Sequence, residues 1–275
     1  MSKYAYCTVL TNESYTDGVL ALWNSIIKTK SIYPLVVLIS NKISKEIINK
    51  LSGIMHTYVF DEDINLDKRV LKDNSGFFEK WNTTFYKLKV LNLCEYEKIV
   101  MLDADMIVMK NLDHLFDRPH MSCSFAVTSK KVYRGLNSGL MVLKPSKDLY
   151  DKMVSSILPA KEAYGGKPIG DQDVYRYVYS DWNSHHELHL PMTYNCYNSE
   201  IDAFVKNKEL LFKDIYVIHF ILTKPWTIKN SVLLKQKILR IFGIYKDKYI
   251  LKSNIIWKKQ YCKAIKKINN NYKIR

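Results

Sequence analysis

The chain has 275 residues, 47% of them hydrophobic, and a net charge of +15. That is enough for one large domain, or one domain plus an appendage, with ample material for a core. Five scattered cysteines without a Cys-x-x-Cys pair argue against a disulfide framework and a zinc site; no apolar run nears the ~18 residues of a membrane span and no leader-like segment follows Met1, so a reducing, cytoplasmic setting is expected.

Tyr4–Leu10 reads as a strand. Val19, Leu22, Trp23, Ile26 and Ile27 keep the spacing of an apolar helix face. After Pro34, Leu35–Ile39 is a continuous apolar run of the kind buried on both faces of a parallel sheet. Ser44 is placed to cap the next helix, with Glu46 in its first turn. Thr57–Phe60 predicts a third strand. Residues 61–80 are polar and irregular, with a turn signal at Asn74-Ser75-Gly76, and read as a long mobile loop. Phe85, Leu88 and Leu91 then recur every third residue along one side of a helix. The next strand begins at Lys98 and ends in Asp103-Ala104-Asp105.

Two carboxylates so close repel unless something positive sits between them. A divalent cation suits them, because hard cations take carboxylate oxygens. The pair therefore points to a metal site holding a phosphate-bearing ligand, with two solvated turn aspartates as the plain alternative. Repeated β-α units imply a doubly wound parallel sheet, whose ligands sit at the carboxyl ends of the strands. Thr11, Asn12 and Tyr15, just past the first strand, are expected to face the same crevice as Asp103 and Asp105.

The second half is less regular. Gly139–Lys144 reads as a strand, and Ser146 is placed to cap a helix running to about Leu158. Gly165, Gly166 and Pro168 mark a loop before Gly170-Asp171-Gln172-Asp173 opens another helical stretch, where Asp171 also suits an N-cap. Ile215–Phe220 is a further strand, ending near His219. From residue 228 onward the pattern becomes a Lys-rich, Ile/Leu-rich amphipathic tail. Residues 228–275 hold 14 Lys/Arg against Asp247 alone, while the preceding 227 residues hold 28 against 26 acids. The expected organisation is a near-neutral domain over 1–227 and a basic helical extension over 228–275.

Four segments stand together: Thr11-Asn12-Glu13-Ser14-Tyr15, Asp103-Ala104-Asp105, Asn137-Ser138-Gly139, and His219 followed by Lys224-Pro225-Trp226. With the strings TVLTNESY, VMLDADMIV, LNSGLMVLKP, GDQDV and VIHFILTKPW, in that order and spacing, the chain resembles the glycogenin-like retaining glycosyltransferases of family 8 over about residues 3–227. The resemblance implies an α/β fold of GT-A type, a single Rossmann-like domain with a mostly parallel central sheet. It also implies a UDP-sugar donor and a divalent cofactor, Mn²⁺ with Mg²⁺ as the alternative.

Residue by residue, the resemblance implies nucleotide contacts from Val9, Thr11, Asn12 and Tyr15, the last stacking on uracil. Lys87, in FYKLKV, would reach the donor. Asp103, Asp105 and His219 would bind the metal, with Ala104 between the acids also in the donor site. Asn137 and Ser138 would touch the donor sugar, Asp171 and Gln172 would stand at the reaction centre, and Lys224 would bind the diphosphate. Trp226 is expected to pack that loop. No carboxylate is clearly placed as a covalent nucleophile, which favours front-face attack through an oxocarbenium-like state.

Three departures from the pattern stand out. HFILTKPW is one residue shorter than the usual string and lacks its glycine. Pro168 replaces an aspartate three residues before Asp171-Gln172. Asn198 stands where glycogenin carries its self-glycosylated tyrosine, with Tyr194 and Tyr197 close by, so self-glucosylation by that route is not implied.

The expected activity is hexose transfer to a hydroxyl of a protein, a glycan or a small polyol, from UDP-glucose first and UDP-galactose second, with UDP-N-acetylglucosamine and UDP-xylose left open. The rivals are a nucleotide-sugar-binding protein without transferase activity and a nucleic-acid-binding protein acting through the tail. For the tail, packing on the domain with a solvated lysine face is favoured. An anionic membrane surface comes next, nucleic acid is disfavoured, and a homodimer stays open.

Overall fold

A computed structural model describes residues 2–130 and 135–273. Among them, ten strands follow in chain order: β1 (Tyr4–Leu10), β2 (Leu35–Ser40), β3 (His56–Phe60), β4 (Lys98–Leu102), β5 (Met106–Val108), β6 (Cys123–Phe125), β7 (Leu136–Leu143), β8 (His189–Leu190), β9 (Cys196–Tyr197) and β10 (Val217–His219). Nine α-helices accompany them: α1 (Thr16–Lys28), α2 (Lys45–Ser52), α3 (Lys68–Asp73), α4 (Lys147–Ser155), α5 (Ile157–Ala163), α6 (Asp171–Val178), α7 (Ile201–Lys206), α8 (Asn230–Ile241) and α9 (Lys248–Lys273).

Seven strands form one sheet in the order β3-β2-β1-β4-β7-β6-β8, and β5, β10 and β9 form a second. β3, β2, β1 and β4 are parallel, as the repeated β-α units predict. β7 runs antiparallel to both β4 and β6 and is the reversed strand of the large sheet. Its two faces are buried alternately. Ala5, Cys7, Val36, Leu38, Ile99 and Met101 enter one core with Phe85, Leu88, Val174 and Trp182. Tyr6, Leu10, Val37, Ile39, Val100 and Leu102 enter the other with Val19, Leu22, Ile26, Ala264 and Ile268. The period of two along each strand thus sorts its side chains between two layers of helices.

Several local expectations change. Residues 61–80 are not one long loop. Asp67 caps α3 by accepting from the Arg69 N–H (2.8 Å), and Val70 is fully buried. Asn74, also buried, exchanges two hydrogen bonds with the Ile169 backbone, at 2.7 and 3.0 Å, and so ties the segment to the approach to α6. The helix after it is a run of 3₁₀ turns, Gly76–Asn92. Its three-residue repeat is what stacks Phe85, Leu88 and Leu91 on one buried side. The helix expected to reach about Leu158 breaks at Ser156 into α4 and α5; Ser146 caps α4 as expected, accepting from the Leu149 N–H. Ser44 starts α2, but its hydroxyl makes no cap bond; its N–H donates to Glu13 Oε1 instead. Gly170, not Asp171, is the N-cap of α6, with Asp173 accepting from the Gly170 N–H. Asn137 and Ser138 lie inside β7, which begins at Leu136 rather than at Gly139.

Beyond residue 228 the tail forms α8 and α9. α9 lies along α1, where Asn24 Nδ2 donates to Gln260 Oε1 in a buried 2.7 Å bond and Trp257 is 0% exposed.

Candidate metal and donor site

The site begins where β4 stops. Asp103-Ala104-Asp105 makes a turn closed by the Met106 N–H donating to Asp103 O (3.1 Å), and the chain reverses into β5. Both ends of the turn are pinned. The Asp103 N–H donates to Gly139 O on β7 (2.9 Å), and Asp105 O accepts from the Phe220 N–H (3.0 Å). Because β5 pairs with β10 in the register His219↔Met106, the imidazole arrives beside the two acids. His219 Nε2 lies 3.1 Å from Asp105 Oδ1 and 3.7 Å from Asp103 Oδ2. One ligand atom from each of the three residues lies within 4.8 Å of the others.

The tautomer of His219 follows from its surroundings. The Gly139 N–H can only donate, and it donates to Asn137 Oδ1 (2.8 Å). That oxygen also accepts from Asn195 Nδ2, so Asn195 Oδ1 must face His219 Nδ1, at 2.8 Å. Nδ1 therefore carries a proton and Nε2 is left as the ligand atom. A ligating histidine is typically held in this way. With Nδ1 so protonated, Nε2 and two carboxylates converge as acceptors, a donor set suited to a cation. Two carboxylates and one imidazole nitrogen fit a first-row divalent ion such as Mn²⁺.

Lysines flank the cluster. Lys87 Nζ is 2.6 Å from Asp103 Oδ1 and 3.6 Å from Asp171 Oδ2. Burial pushes this ammonium's pKa down, but Asp103, Asp171 and Asp105 together hold it above the usual lysine value. Lys224 Nζ pairs with Asp105 Oδ2 and donates to Phe220 O (2.7 Å). Burial pushes Asp105 up, yet His219 and Lys224 outweigh it and hold the carboxyl well below its usual range. Asp103 is shifted the other way, by burial and then by the Asp105 charge, against the pull of Lys87. Three carboxylates against two ammoniums leave a residual negative charge, which suits a divalent cation. Asp171 Oδ2 is buried without a hydrogen-bond partner, an oxygen available to a ligand.

The remaining expected residues divide. Gln172 Oε1 accepts from Asn137 Nδ2 (2.8 Å) and the Ser138 N–H (3.2 Å). Its carbonyl is thereby spent on β7, leaving the amide nitrogen as the group it can offer a ligand. Tyr15 lies 5.7 Å from Lys224 Nζ, and its ring meets Trp226 edge-on at 5.2 Å. Val9, Thr11, Asn12 and Ala104 sit at adjoining strand ends, since β1 and β4 are parallel neighbours. The Asn12 side chain is turned to its own loop, where it accepts from the Ser14 N–H (2.9 Å).

Sequence reading missed three residues. Asn195 orients His219. Thr84 Oγ1 accepts from the Asp171 N–H (3.0 Å) and fixes the start of α6. The Tyr197 hydroxyl accepts from Asn137 Nδ2 (2.9 Å), and its ring stands edge-on to His219. None lies in a motif; the one usable signal is that a metal-binding histidine calls for an acceptor at its second nitrogen.

Known proteins match this layout. The chain is 33% identical over 259 residues to Uncharacterized protein R707 of Acanthamoeba polyphaga mimivirus, covering 84% of this chain and 85% of that one. It is 29% identical over 232 residues to Glycogenin-1 of Homo sapiens, covering 82% of this chain but only 63% of the relative's length. Among solved structures, the galactosyltransferase LgtC, in complex with donor and acceptor sugar analogues, superposes with a TM-score of 0.58 at 14% identity, over 86% of this chain and 95% of LgtC. That likeness is one of fold, the GT-A architecture. The family model described as Glycosyl transferase family 8 matches residues 6–229, the span that contains every residue of the site just described. The chain belongs to glycosyl transferase family 8.

Proposed function

We propose that this glycosyltransferase moves a hexose, glucose first and galactose second, from a UDP-sugar to a hydroxyl of a protein, a glycan or a small polyol, with retention and with Mn²⁺ as cofactor. The observation that carries this reading is the convergence of His219 Nε2 with the Asp103 and Asp105 carboxylates, with Lys224 beside them. A bound divalent ion there supplies Lewis-acid stabilisation of the departing diphosphate. Lys224 adds a fixed positive charge where negative charge develops. Lys87 holds Asp103 and Asp171 at the sugar side, and Gln172 is kept in place by Asn137 and Ser138. The anomeric C–O bond breaks and its electron pair leaves with UDP. The acceptor oxygen bonds to the anomeric carbon on the same face, and its proton passes to the leaving oxygen. Asp171 Oδ2 is the carboxylate oxygen suited to stabilise the cationic ring.

A screen of UDP-glucose, UDP-galactose, UDP-N-acetylglucosamine and UDP-xylose for Mn²⁺-dependent UDP release tests the reading. Asp105→Ala is expected to lower release by at least about a thousand-fold. Mn²⁺ titration followed by electron paramagnetic resonance should show weaker binding in His219→Ala. UDP-sugar binding with no UDP release from any donor would leave only the binding-protein alternative.

A further inference from the structure

α8 turns an apolar side to solvent. At roughly 3.6 residues per turn, Leu234, Ile238 and Ile241 fall on one narrow stripe, while Leu233, Gln236 and Leu239 fall on the opposite side. Leu233 is buried, and this second side is the one that attaches the helix to the body. The stripe points outward: Ile241 is 82% and Phe242 72% exposed, and Leu234, Ile238 and Ile244 are exposed with them. Lys235 and Lys237 flank the stripe on its two sides, and the helix contains no acid.

The exposed tip is a formed structure. Gly243 takes φ +71°, and the Ile244 N–H donates to Leu239 O at 2.9 Å, which ends the helix in a closed turn. This turn holds Ile241, Phe242 and Ile244 in solvent at the end of α8.

We propose that α8 and its terminal turn dock on the surface of an anionic lipid bilayer, with the helix lying in the interface plane. The apolar stripe would enter the headgroup boundary, while Lys235 and Lys237 on its two sides meet lipid phosphates and carboxylates. An apolar face edged by cations, whose aliphatic stems can lie along it, is the pattern of interfacial helices. Among the described residues no helix is long and apolar enough to cross a membrane, which agrees with surface docking. A second copy fits the face poorly, because two-fold pairing would bring like cations together. A nucleic acid would engage the cations but leave the aliphatic stripe in water.

The test is flotation of the full chain with phosphatidylcholine vesicles, with and without phosphatidylserine. The wild-type chain should float with the anionic vesicles only. Ile241→Ser/Phe242→Ser should weaken that binding at least about ten-fold, and Lys235→Gln/Lys237→Gln about thirty-fold. Both variants alter exposed residues outside the donor site, so circular dichroism and any UDP-releasing activity should match the wild type. The proposal is overturned if the chain floats with neither vesicle, if it does not distinguish them, or if the double serine variant binds as the wild type does. A concentration-dependent dimer that the double serine variant abolishes, without vesicle binding, would assign the face to a second copy instead.

Discussion

The two helices of the basic tail are both rich in cations, with about half of their residues apolar, and have opposite surroundings. α9 buries Leu251, Trp257, Ala264 and Ile268, and even Ser253, Asn254 and Gln260 are removed from water. α8 buries Leu233 alone and leaves its apolar stripe in solvent. The difference lies in what each meets. α1 is buried along most of its length, turning Val19, Leu22 and Ile26 to the sheet and Ala21 and Asn24 to its other side. A helix buried all round needs a second cover, and α9 provides it. No such face awaits α8. An amphipathic, lysine-rich sequence thus specifies a helix with an apolar side, while a complementary surface decides whether that side is core.

This contrast reaches the donor site. Trp257 of α9 lies 5.7 Å from the Trp226 ring, which in turn packs edge-on against Tyr15. Trp257→Ala should therefore have the largest effect of the tail substitutions, about 3–5 kcal/mol of destabilisation in urea. It should also weaken UDP binding through the loosened Trp226. A change under about 1 kcal/mol would show that α9 is not part of the cooperative body. Next in size is Gly18→Ala on α1. A Cβ there would stand 2.4 Å from Ala104 O and 3.0 Å from the Trp226 ring. The first contact is backbone and cannot yield by a rotamer change. The expected cost is about 1–3 kcal/mol, together with a displaced Asp103–Asp105 turn read as a loss of UDP release. Asn24→Ala comes third. It strands Gln260 Oε1 in a buried position, at about 1–2 kcal/mol, whereas Asn24→Leu/Gln260→Leu should be near neutral. Equal losses in the single and double variants would place the contribution of this contact in packing rather than in the hydrogen bond.

What the sequence shows of all this depends on whether the cause is local. The three inner parallel strands, β1, β2 and β4, appear as apolar runs because burial on both faces leaves no other pattern, while β3 at the edge keeps His56 and Val59 exposed. The Asp103–Asp105 turn stands out because two like charges at a strand end need a counter-charge. The three-residue repeat of Phe85, Leu88 and Leu91 is visible, although it marks 3₁₀ turns. Asn195 and Thr84 are silent, since each acts only after β9 has paired with β10 or the 3₁₀ run has met α6. Asn74 is silent for the same reason: its amide reads as a turn signal until Ile169, 95 residues on, comes to meet it. The tail shows the same limit, because its apolar residues look alike in sequence until α1 selects Trp257 and leaves Ile241.

The smallest expected effect is the sharpest test of the contrast. Leu234→Ser removes an apolar side chain from the middle of α8, as Trp257→Ala does from α9. Leu234 is more than half exposed, at 58%, so it withdraws little surface from water on folding. The stability change should stay within about 0.5 kcal/mol, while vesicle binding should fall. If instead Leu234→Ser lowers stability by about 2 kcal/mol or more, as a buried leucine would, the stripe is already covered in the free protein. α8 would then be core like α9, with nothing left for a bilayer to take.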